Sequence, residues 1–145
     1  MNALHVVFKV AGSEYVIPAS EVLQMESYQG ATRVPGTDRH VAGLVQVRGK
    51  VVPVVDVRSR FGLERIEPTI DSRIVVVANS GRTVGLLVDS AREVVKLDDE
   101  QLKPPPEALT ERSQGFVKRV AQAGTRLLLL IDHEKVIGKD EAHVR

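Results

Sequence analysis

QVRGKVVPVVDVRSRFG, at residues 46–62, holds two valine-rich runs on either side of a short basic turn. The turn is Arg48-Gly49-Lys50, and Asp56 stands near the end of the second run. Two β-branched runs joined by a glycine-containing turn are typical of a β-hairpin. The stretch therefore predicts two paired strands, an exposed basic turn and an acidic residue at a strand end.

Similar apolar runs recur along the whole chain. We expect strands at 6–10, 14–18, 44–47, 51–57, 73–78, 83–89, 93–97, 116–120 and 126–132, and helical turns at 19–23, capped by Ser20, at 59–62 and at 133–138. Many short strands separated by turn residues predict an all-β barrel or sandwich. The runs are too continuous for a sheet with one buried face, so they favour strands buried on both sides, as where two barrels pack together. Hairpins before and after Pro68 indicate a pair of similar lobes.

The composition narrows the class of protein. The chain has 145 residues, which suits one domain, and its net charge is +1, with 20 basic and 19 acidic residues. That balance, with no Trp, three Phe and two Tyr, argues against a nucleic-acid-binding protein. Without Cys there is no disulfide, thiolate metal site or thiol nucleophile. We see no signal peptide, and the longest apolar run, 127–131, is too short to cross a bilayer, so we expect a soluble cytoplasmic protein.

The order of several motifs resembles one known family. The motifs are Val16-Ile17-Pro18 followed by Val22, then GLVQVRGKVVPVVDVRSRFG at 43–62, IVVV at 74–77, VGLLVD at 84–89, Val94, PPP at 104–106 and the apolar run that ends at Asp132. In this order the chain resembles the CheW family, the coupling proteins of bacterial chemosensory arrays, from residue 6 to residue 138. The resemblance implies an all-β fold of two intertwined five-stranded SH3-like barrels with short helical turns. It places the first lobe at about 12–66 plus the terminal segments and the second at about 67–130.

The resemblance also implies a function and its residues. Such a protein is a non-enzymatic adaptor that couples the cytoplasmic tip of a chemoreceptor to the regulatory domain of the histidine kinase CheA. It has no cofactor or metal and does not insert into the membrane, but sits at membrane receptor arrays through its partners and can join array or ring assemblies. The receptor-binding residues are expected to be Val22, Gln24, Val47, Arg48 and Gly49, the kinase-binding residues Arg73, Ile74 and Val94, and the structural residues at turns and strand ends Gly43, Pro53, Asp56, Gly85 and Asp89.

Two interpretations of the role of the basic turn are open. Arg48 is either a solvated turn residue or, as the resemblance implies, a contact to the receptor, where its planar fork of donors suits a carboxylate or the carbonyls at a helix end. An apolar groove bordered by Val22 and Arg48 would then hold the receptor tip. The family often has an acidic residue at the position of Gln24 and Asn at that of Gln46. These departures leave open an adaptor of a non-flagellar chemosensory pathway.

The aspartates and histidines allow rival functions. Asp56, Asp89 and Asp132 each follow a strand, and we expect them to accept hydrogen bonds from backbone amides rather than act as acids or bases. The run at 86–91 is similar to the loop of small dimeric aspartic proteases, but Ala91 replaces the glycine. A small nucleic-acid-binding barrel is the other alternative. The four histidines, His5, His40, His133 and His143, fit no metal motif and are expected to be mostly exposed.

Overall fold

The computed structural model describes residues 2–138, and these residues form eleven strands and three short α-helices. The strands are β1 (Asn2–Val10), β2 (Ser13–Pro18), β3 (Val22–Ser27), β4 (Val41–Val47), β5 (Lys50–Asp56), β6 (Arg73–Asn79), β7 (Arg82–Val88), β8 (Ser90–Asp98), β9 (Leu102–Lys103), β10 (Val117–Ala123) and β11 (Arg126–Ile131). The helices are α1 (Val57–Arg60), α2 (Glu107–Arg112) and α3 (His133–Ile137), with 3₁₀ turns at Ala19–Glu21 and Asp99–Gln101.

The strands form two sheets that follow the same plan. The six-stranded sheet has the order β8-β1-β2-β11-β10-β9, and the five-stranded sheet has the order β3-β6-β7-β5-β4. In each sheet two antiparallel hairpins meet through one parallel pair, β2 with β11 and β7 with β5. The predicted all-β fold class of two intertwined barrels is therefore confirmed.

The two halves of the chain repeat one pattern of elements. The hairpin β1–β2 corresponds to β6–β7, the edge strand β3 to β8, the hairpin β4–β5 to β10–β11, and α1 to α3. The register repeats as well, because the parallel pair Leu130↔Val16 has the same place in its sheet as Val54↔Gly85. The lobes are thus similar in structure, although their sequences show little of it.

Each sheet combines a hairpin from one half of the chain with strands from the other half. The hairpin β1–β2 shares its sheet with the four strands β8, β9, β10 and β11, while β6–β7 shares its sheet with the three strands β3, β4 and β5. This exchange of hairpins is what makes the barrels intertwined. The lobe limits of about 12–66 and 67–130 stay a prediction, and the sheets themselves exchange hairpins across residue 66.

The largest core lies between the two sheets. It includes Phe8, Ile17, Val75 and Leu86, all at most 1% exposed, and smaller clusters fill the inside of each barrel. In β6 four successive side chains, from Ile74 to Val77, are at most 2% exposed, so this strand is buried on both faces as predicted.

Four of the five aromatic rings stack at one side of this core. The stack runs from Phe8 to Tyr15, then to Phe61 and Phe116, with ring centroids 5.7, 5.3 and 5.4 Å apart. Phe61 follows α1, whereas Phe8, Tyr15 and Phe116 belong to the six-stranded sheet or its flank. The rings therefore hold the two sheets together beyond the aliphatic core.

One prediction about local structure was wrong, and one helix was not predicted. The helical turn at 19–23 is a 3₁₀ turn over Ala19–Glu21 without a side-chain cap from Ser20, and Val22 and Leu23 begin β3. The sequence did not predict α2. This helix follows three prolines and has no buried face that would produce a periodic apolar pattern. Pairing of β3 with β6 outweighs the helical tendency of residues 22 and 23.

Candidate protein-docking site

The turn between β4 and β5 has a backbone that suits a tight hairpin. Val47 pairs with Lys50, and the two residues between them, Arg48 and Gly49, have φ values of 49° and 82°. Two successive left-handed residues are the signature of the two-residue turn that matches strand twist. Gly49 fits this conformation without strain, whereas Arg48 adopts it at a cost.

The Arg48 side chain projects into solvent. It is exposed, and it makes no hydrogen bond or ion pair with any other residue in the described range 2–138. Its guanidinium therefore keeps all its donors available for a partner.

We use the name Arg48 end for the end of the five-stranded sheet formed by three segments: the β4–β5 turn and the start of β5 (48–51), the β6–β7 turn (80–82) and the start of β3 (22–24). The register brings them together, since β7 runs parallel to β5 and Val22 pairs with Val77 near the end of β6. All five predicted receptor-binding residues lie at this end or beside it.

The predicted receptor residues differ in accessibility. Val47 is 4% exposed, and Val22 packs against the core between the sheets, so neither offers a full side chain to a partner. The sequence did not single out two apolar side chains that are accessible here, Leu23 at 56% and Val51 at 67% exposure. Their outward direction follows from strand alternation, which becomes readable once the limits of β3 and β5 are known.

A groove runs along the seam between β3 and β4. Its walls are formed by residues 26–32 and 44–47, its volume is about 710 Å³, and Ile74 lies at its base. Polar side chains such as Glu26, Gln29 and Gln46 line it beside Val45. The expected apolar groove bordered by Val22 and Arg48 is therefore replaced by a mixed groove that begins at Val47.

The three residues predicted to bind the kinase have different environments. Val94 is 51% exposed on the edge strand β8. Arg73 begins β6 and donates hydrogen bonds to the carbonyls of Ile70 and Ser72, both at 2.8 Å. Ile74 is 2% exposed and belongs to the core of its barrel.

The corresponding end of the six-stranded sheet is closed by ion pairs. We call it the Arg126 end: Arg126 begins β11 as Lys50 begins β5. The Arg126 guanidinium donates to Glu14 at 2.6 and 3.1 Å and to Glu93 at 2.7 and 2.9 Å. Hydrogen bonds from Arg126 hold the pKa of both carboxyls below their usual range, and the two carboxylates raise the pKa of Arg126.

Asp89 ties three parts of the chain together where β7 passes into β8. Its carboxylate accepts bidentate hydrogen bonds from Arg58 at 2.8 and 2.7 Å and one from the backbone N–H of Ala11 at 2.8 Å. Burial pushes the pKa of Asp89 upward, but the hydrogen bonds from Arg58 and Ala11 outweigh it, so the pKa lies below its usual value. The sequence offered no sign of the Arg58 partnership, because the two residues lie far apart along the chain.

Asp56 and Asp132 occupy matching places at the ends of β5 and β11. Each accepts a hydrogen bond from the backbone N–H three residues on, Ser59 or Lys135, at 3.3 Å, and so begins α1 or α3. Asp56 also has Arg65 Nε at 3.6 Å. These contacts are those of helix caps.

Two predicted glycines allow close approaches. A Cβ on Gly85 would lie 2.5 Å from Ile74 Cγ2, and one on Gly43 would lie 2.3 Å from the Thr32 carbonyl oxygen. Pro53 lies inside β5 opposite Leu44.

A Ser-His-Asp series lies beside α1. Ser59 Oγ is 3.2 Å from His40 Nδ1, and His40 Nε2 is 3.6 Å from Asp38 Oδ1. Ser59 is 3% exposed, and its hydroxyl also donates to the Arg39 carbonyl at 3.5 Å. A buried hydroxyl directed at a carbonyl is not placed to attack a substrate, so the series is structural.

The expectation of mostly exposed histidines was wrong. His5 and His133 are 3% and 6% exposed, and His40 is partly buried. The His133 ring nitrogens lie 3.3 Å from the Ala78 carbonyl oxygen and 3.6 Å from Glu21 Oε1. His143 lies outside the described residues.

Neither a metal-binding cluster nor a membrane-spanning helix occurs in the described part of the chain. Within residues 2–138, no three His, Asp or Glu side chains cluster in a way that would hold a metal ion. Over the same residues, each helix is too short or too polar to span a membrane.

Comparison with known proteins gives a consistent result. Residues 4–141 match the family model described as CheW-like domain. The chain is 33% identical over 137 residues to the chemotaxis protein CheW of Bacillus subtilis, covering 94% of this chain and 88% of that one. It is 30% identical over 136 residues to CheW of Klebsiella aerogenes, covering 93% and 81% of the two chains.

The similarity extends to a solved structure. The crystal structure of the scaffolding protein TtCheW from Thermoanaerobacter tengcongensis matches with a TM-score of 0.88 and 28% identity, over 99% of this chain and 98% of that chain. The strand order, the matching sequences and this structure agree, and the chain belongs to the CheW-like domain family.

Proposed function

We propose that this protein is a non-catalytic adaptor of a bacterial chemosensory system, which couples the cytoplasmic tip of a chemoreceptor to the regulatory domain of a CheA-type histidine kinase. Membership of the CheW-like domain family supports the chemotaxis role. The protein acts in the cytoplasm and reaches the membrane arrays, or rings built with the kinase, through its partners.

One observation carries the receptor site: the Arg48 guanidinium has no hydrogen-bond or ion-pair partner within residues 2–138, whereas Arg126, at the matching end of the other sheet, is held by two carboxylates. An exposed cation without an internal partner is available to a carboxylate or to helix-end carbonyls of another protein. We assign receptor contact to Arg48 and to the partly exposed Gln24, with Gly49, Val22 and Val47 setting the shape of the turn and of β3.

The kinase contact is assigned to Val94 and Arg73, which lie on different sheets. Val94 on β8 supplies an exposed apolar anchor, and Arg73 lies at the start of β6. Ile74, being buried, contributes by fixing the position of β6 rather than by touching the kinase. Exposed apolar anchors at an interface supply most of its free energy.

The absence of catalysis in this proposal rests on the state of the aspartates. Asp89 is bonded to Arg58, and Asp56 caps α1 with Arg65 nearby. The hydrogen bonds from Arg58 and the Ala11 N–H hold the pKa of Asp89 below its usual value, which makes this carboxylate a poor general acid. Asp89→Asn in a peptidase assay tests the aspartic-protease alternative, since any turnover that this change abolishes would contradict the proposal.

The receptor site is tested with Arg48→Ala and Arg48→Lys. Loss of a charge-assisted contact at an interface costs about 1.5–3 kcal/mol, so we expect Arg48→Ala to bind a receptor-tip fragment about ten- to a hundredfold more weakly. Arg48→Lys retains the charge without the fork and should fall between. Arg112→Ala, an exposed arginine on α2, is the matched control and should bind normally.

The kinase site is tested separately with Val94→Glu, which places a charge on an exposed apolar position. We expect co-purification with the kinase regulatory domain to be lost while receptor binding persists. Binding of both partners by Arg48→Ala and Val94→Glu would refute the assignment of the two surfaces. A gel shift with DNA or RNA that persists at physiological salt would favour the nucleic-acid alternative.

A further inference from the structure

The two matching ends of the molecule have corresponding strands and turns, but they differ in whether their cationic side chains are paired with carboxylates. At the Arg48 end, the side chains of Arg48, Lys50 and Arg82 form no hydrogen bond or ion pair with the residues that the structure describes, 2–138. At the Arg126 end, Arg126 is bound by two carboxylates and Arg92 pairs with Asp71. The repeat therefore has one closed end and one end whose cations are unpaired.

Two pairs of corresponding residues differ in charge between the two ends. Gln24 pairs with Val76 next to a register shift in β3, and Glu93 pairs with Val7 next to the matching shift in β8. Glu93, whose carboxylate binds Arg126, therefore corresponds to Gln24, which has a neutral amide, at the Arg48 end. Thr83 likewise occupies the place of Glu14, one residue into the strand after its hairpin turn.

Among residues 2–138, no carboxylate forms an ion pair with Arg48, Lys50 or Arg82. Glu21, just before β3, has its carboxylate 3.6 Å from His133 Nδ1, which leaves it directed toward α3. The Arg48 end also exposes Leu23 and Val51, at 56% and 67%. The surface therefore combines three unpaired cations with two apolar side chains.

We propose that the Arg48 end binds an acidic surface of its partner, one that presents carboxylates around an apolar side chain, and that Gln24 determines this specificity. The inference rests on the proposed function in taking the chemoreceptor tip as that partner. Lys50 and Arg82 join Arg48 as partner contacts. A carboxylate at position 24 would neutralise this surface from within, as Glu93 neutralises Arg126, and would favour a partner with fewer acidic groups.

The physical consequence is salt-dependent binding. Charges on an interface rim accelerate association and are screened by salt, whereas apolar contacts are not. Raising NaCl from about 0.02 M to about 0.2 M shortens the Debye length from about 20 Å to below 10 Å and should reduce the association rate on the order of tenfold.

The experiment uses the full chain and two probes, poly-L-glutamate and soluble tip fragments of the chemoreceptors of the source cell, with binding followed by biolayer interferometry. Lys50→Glu, Arg82→Glu and Gln24→Glu should each slow association with both probes at low salt and flatten the salt dependence. Lys118→Glu makes the same change of charge as Lys50→Glu at an exposed position on β10 and should have little effect. Thermal unfolding confirms that each variant is folded.

A reciprocal variant sharpens the test. Glu93→Gln gives the Arg126 end the same neutral amide as Gln24 and should increase binding of poly-L-glutamate. Salt-independent binding of the receptor fragment, or equal loss in Lys50→Glu and Lys118→Glu, would overturn the inference while leaving the adaptor function intact. Salt-dependent capture of poly-L-glutamate through Lys50 and Arg82 without binding of any receptor fragment would support an acidic partner and contradict the receptor as its source.

Discussion

Replacing Arg48 by glycine should separate binding from stability. Arg48 has φ 49° and makes no hydrogen bond or ion pair with another described residue, so its removal takes no polar interaction from the folded state and relieves a strained backbone conformation. A non-glycine residue in the left-handed region costs about 1–2 kcal/mol, and glycine adds about 0.5–1 kcal/mol of chain entropy to the unfolded state. The free energy of unfolding should therefore rise by about 0.5–1 kcal/mol.

The gain in stability can be measured by far-ultraviolet circular dichroism. A rise of this size corresponds to a Tm increase of about 1–4 °C in a domain of this length. The same variant should lose at least about tenfold in affinity for a receptor-tip fragment, because no guanidinium remains to meet the partner. A variant that is both more stable and unable to bind would show that the arginine is retained for its contact.

Ala11→Gly is the matched control for this experiment. Ala11 has φ 51° at the corresponding position of the β1–β2 turn, which belongs to the other sheet and not to the Arg48 end, so glycine should stabilise the protein to a similar extent there and leave binding intact. A loss of more than about 1 kcal/mol in Arg48→Gly would refute the reasoning, since it would mean that the side chain makes stabilising contacts in solution. Undiminished receptor binding would refute the role of the guanidinium.

Three further substitutions test the interactions that stabilise the fold. Gly85→Ala places a Cβ 2.5 Å from Ile74 Cγ2 and should destabilise the protein by about 1–3 kcal/mol in urea unfolding, and an unchanged midpoint would mean that the strands separate easily. The pKa of Asp89 is lowered on folding, so its stabilisation is complete above the ordinary value of 3.8 and is lost as the pH falls through the folded-state pKa. Asp89→Asn should therefore flatten the fall of stability in acid, and an acid limb identical to that of the wild type would contradict this account. Phe61→Ala removes the ring between two others in the aromatic stack and should cost about 2–4 kcal/mol, with a loss below about 1 kcal/mol indicating that the ring is dispensable.

The sequence was most informative where a strand is buried on both faces. The run 74–77 and the hairpin around Arg48-Gly49-Lys50 were predicted correctly because continuous β-branched residues and a glycine turn act locally. The strand β3 was less visible, since residues 22–27 alternate between apolar and polar side chains on an edge and follow a 3₁₀ turn.

The candidate site was harder to predict because its properties depend on distant residues. Arg126 is paired with Glu93, whereas Lys50, at the corresponding position, has Gln24 as the counterpart of Glu93, and these partners lie on other strands of the two sheets. The exposure of Val51 depends in the same way on which face of β5 packs inward. The Asp89–Arg58 pair joins segments with no shared sequence signal.

The exchange of hairpins between the sheets also constrains how the chain acquires its structure during synthesis. The five-stranded sheet has all its strands once β7 has left the ribosome, but the six-stranded sheet must wait for β11, which is inserted between β2 and β10. Until then β2, near the amino terminus, presents an unpaired edge while most of the chain is already made. Such an edge is a template for association with other nascent chains, and pairing with β11 is the step that removes it.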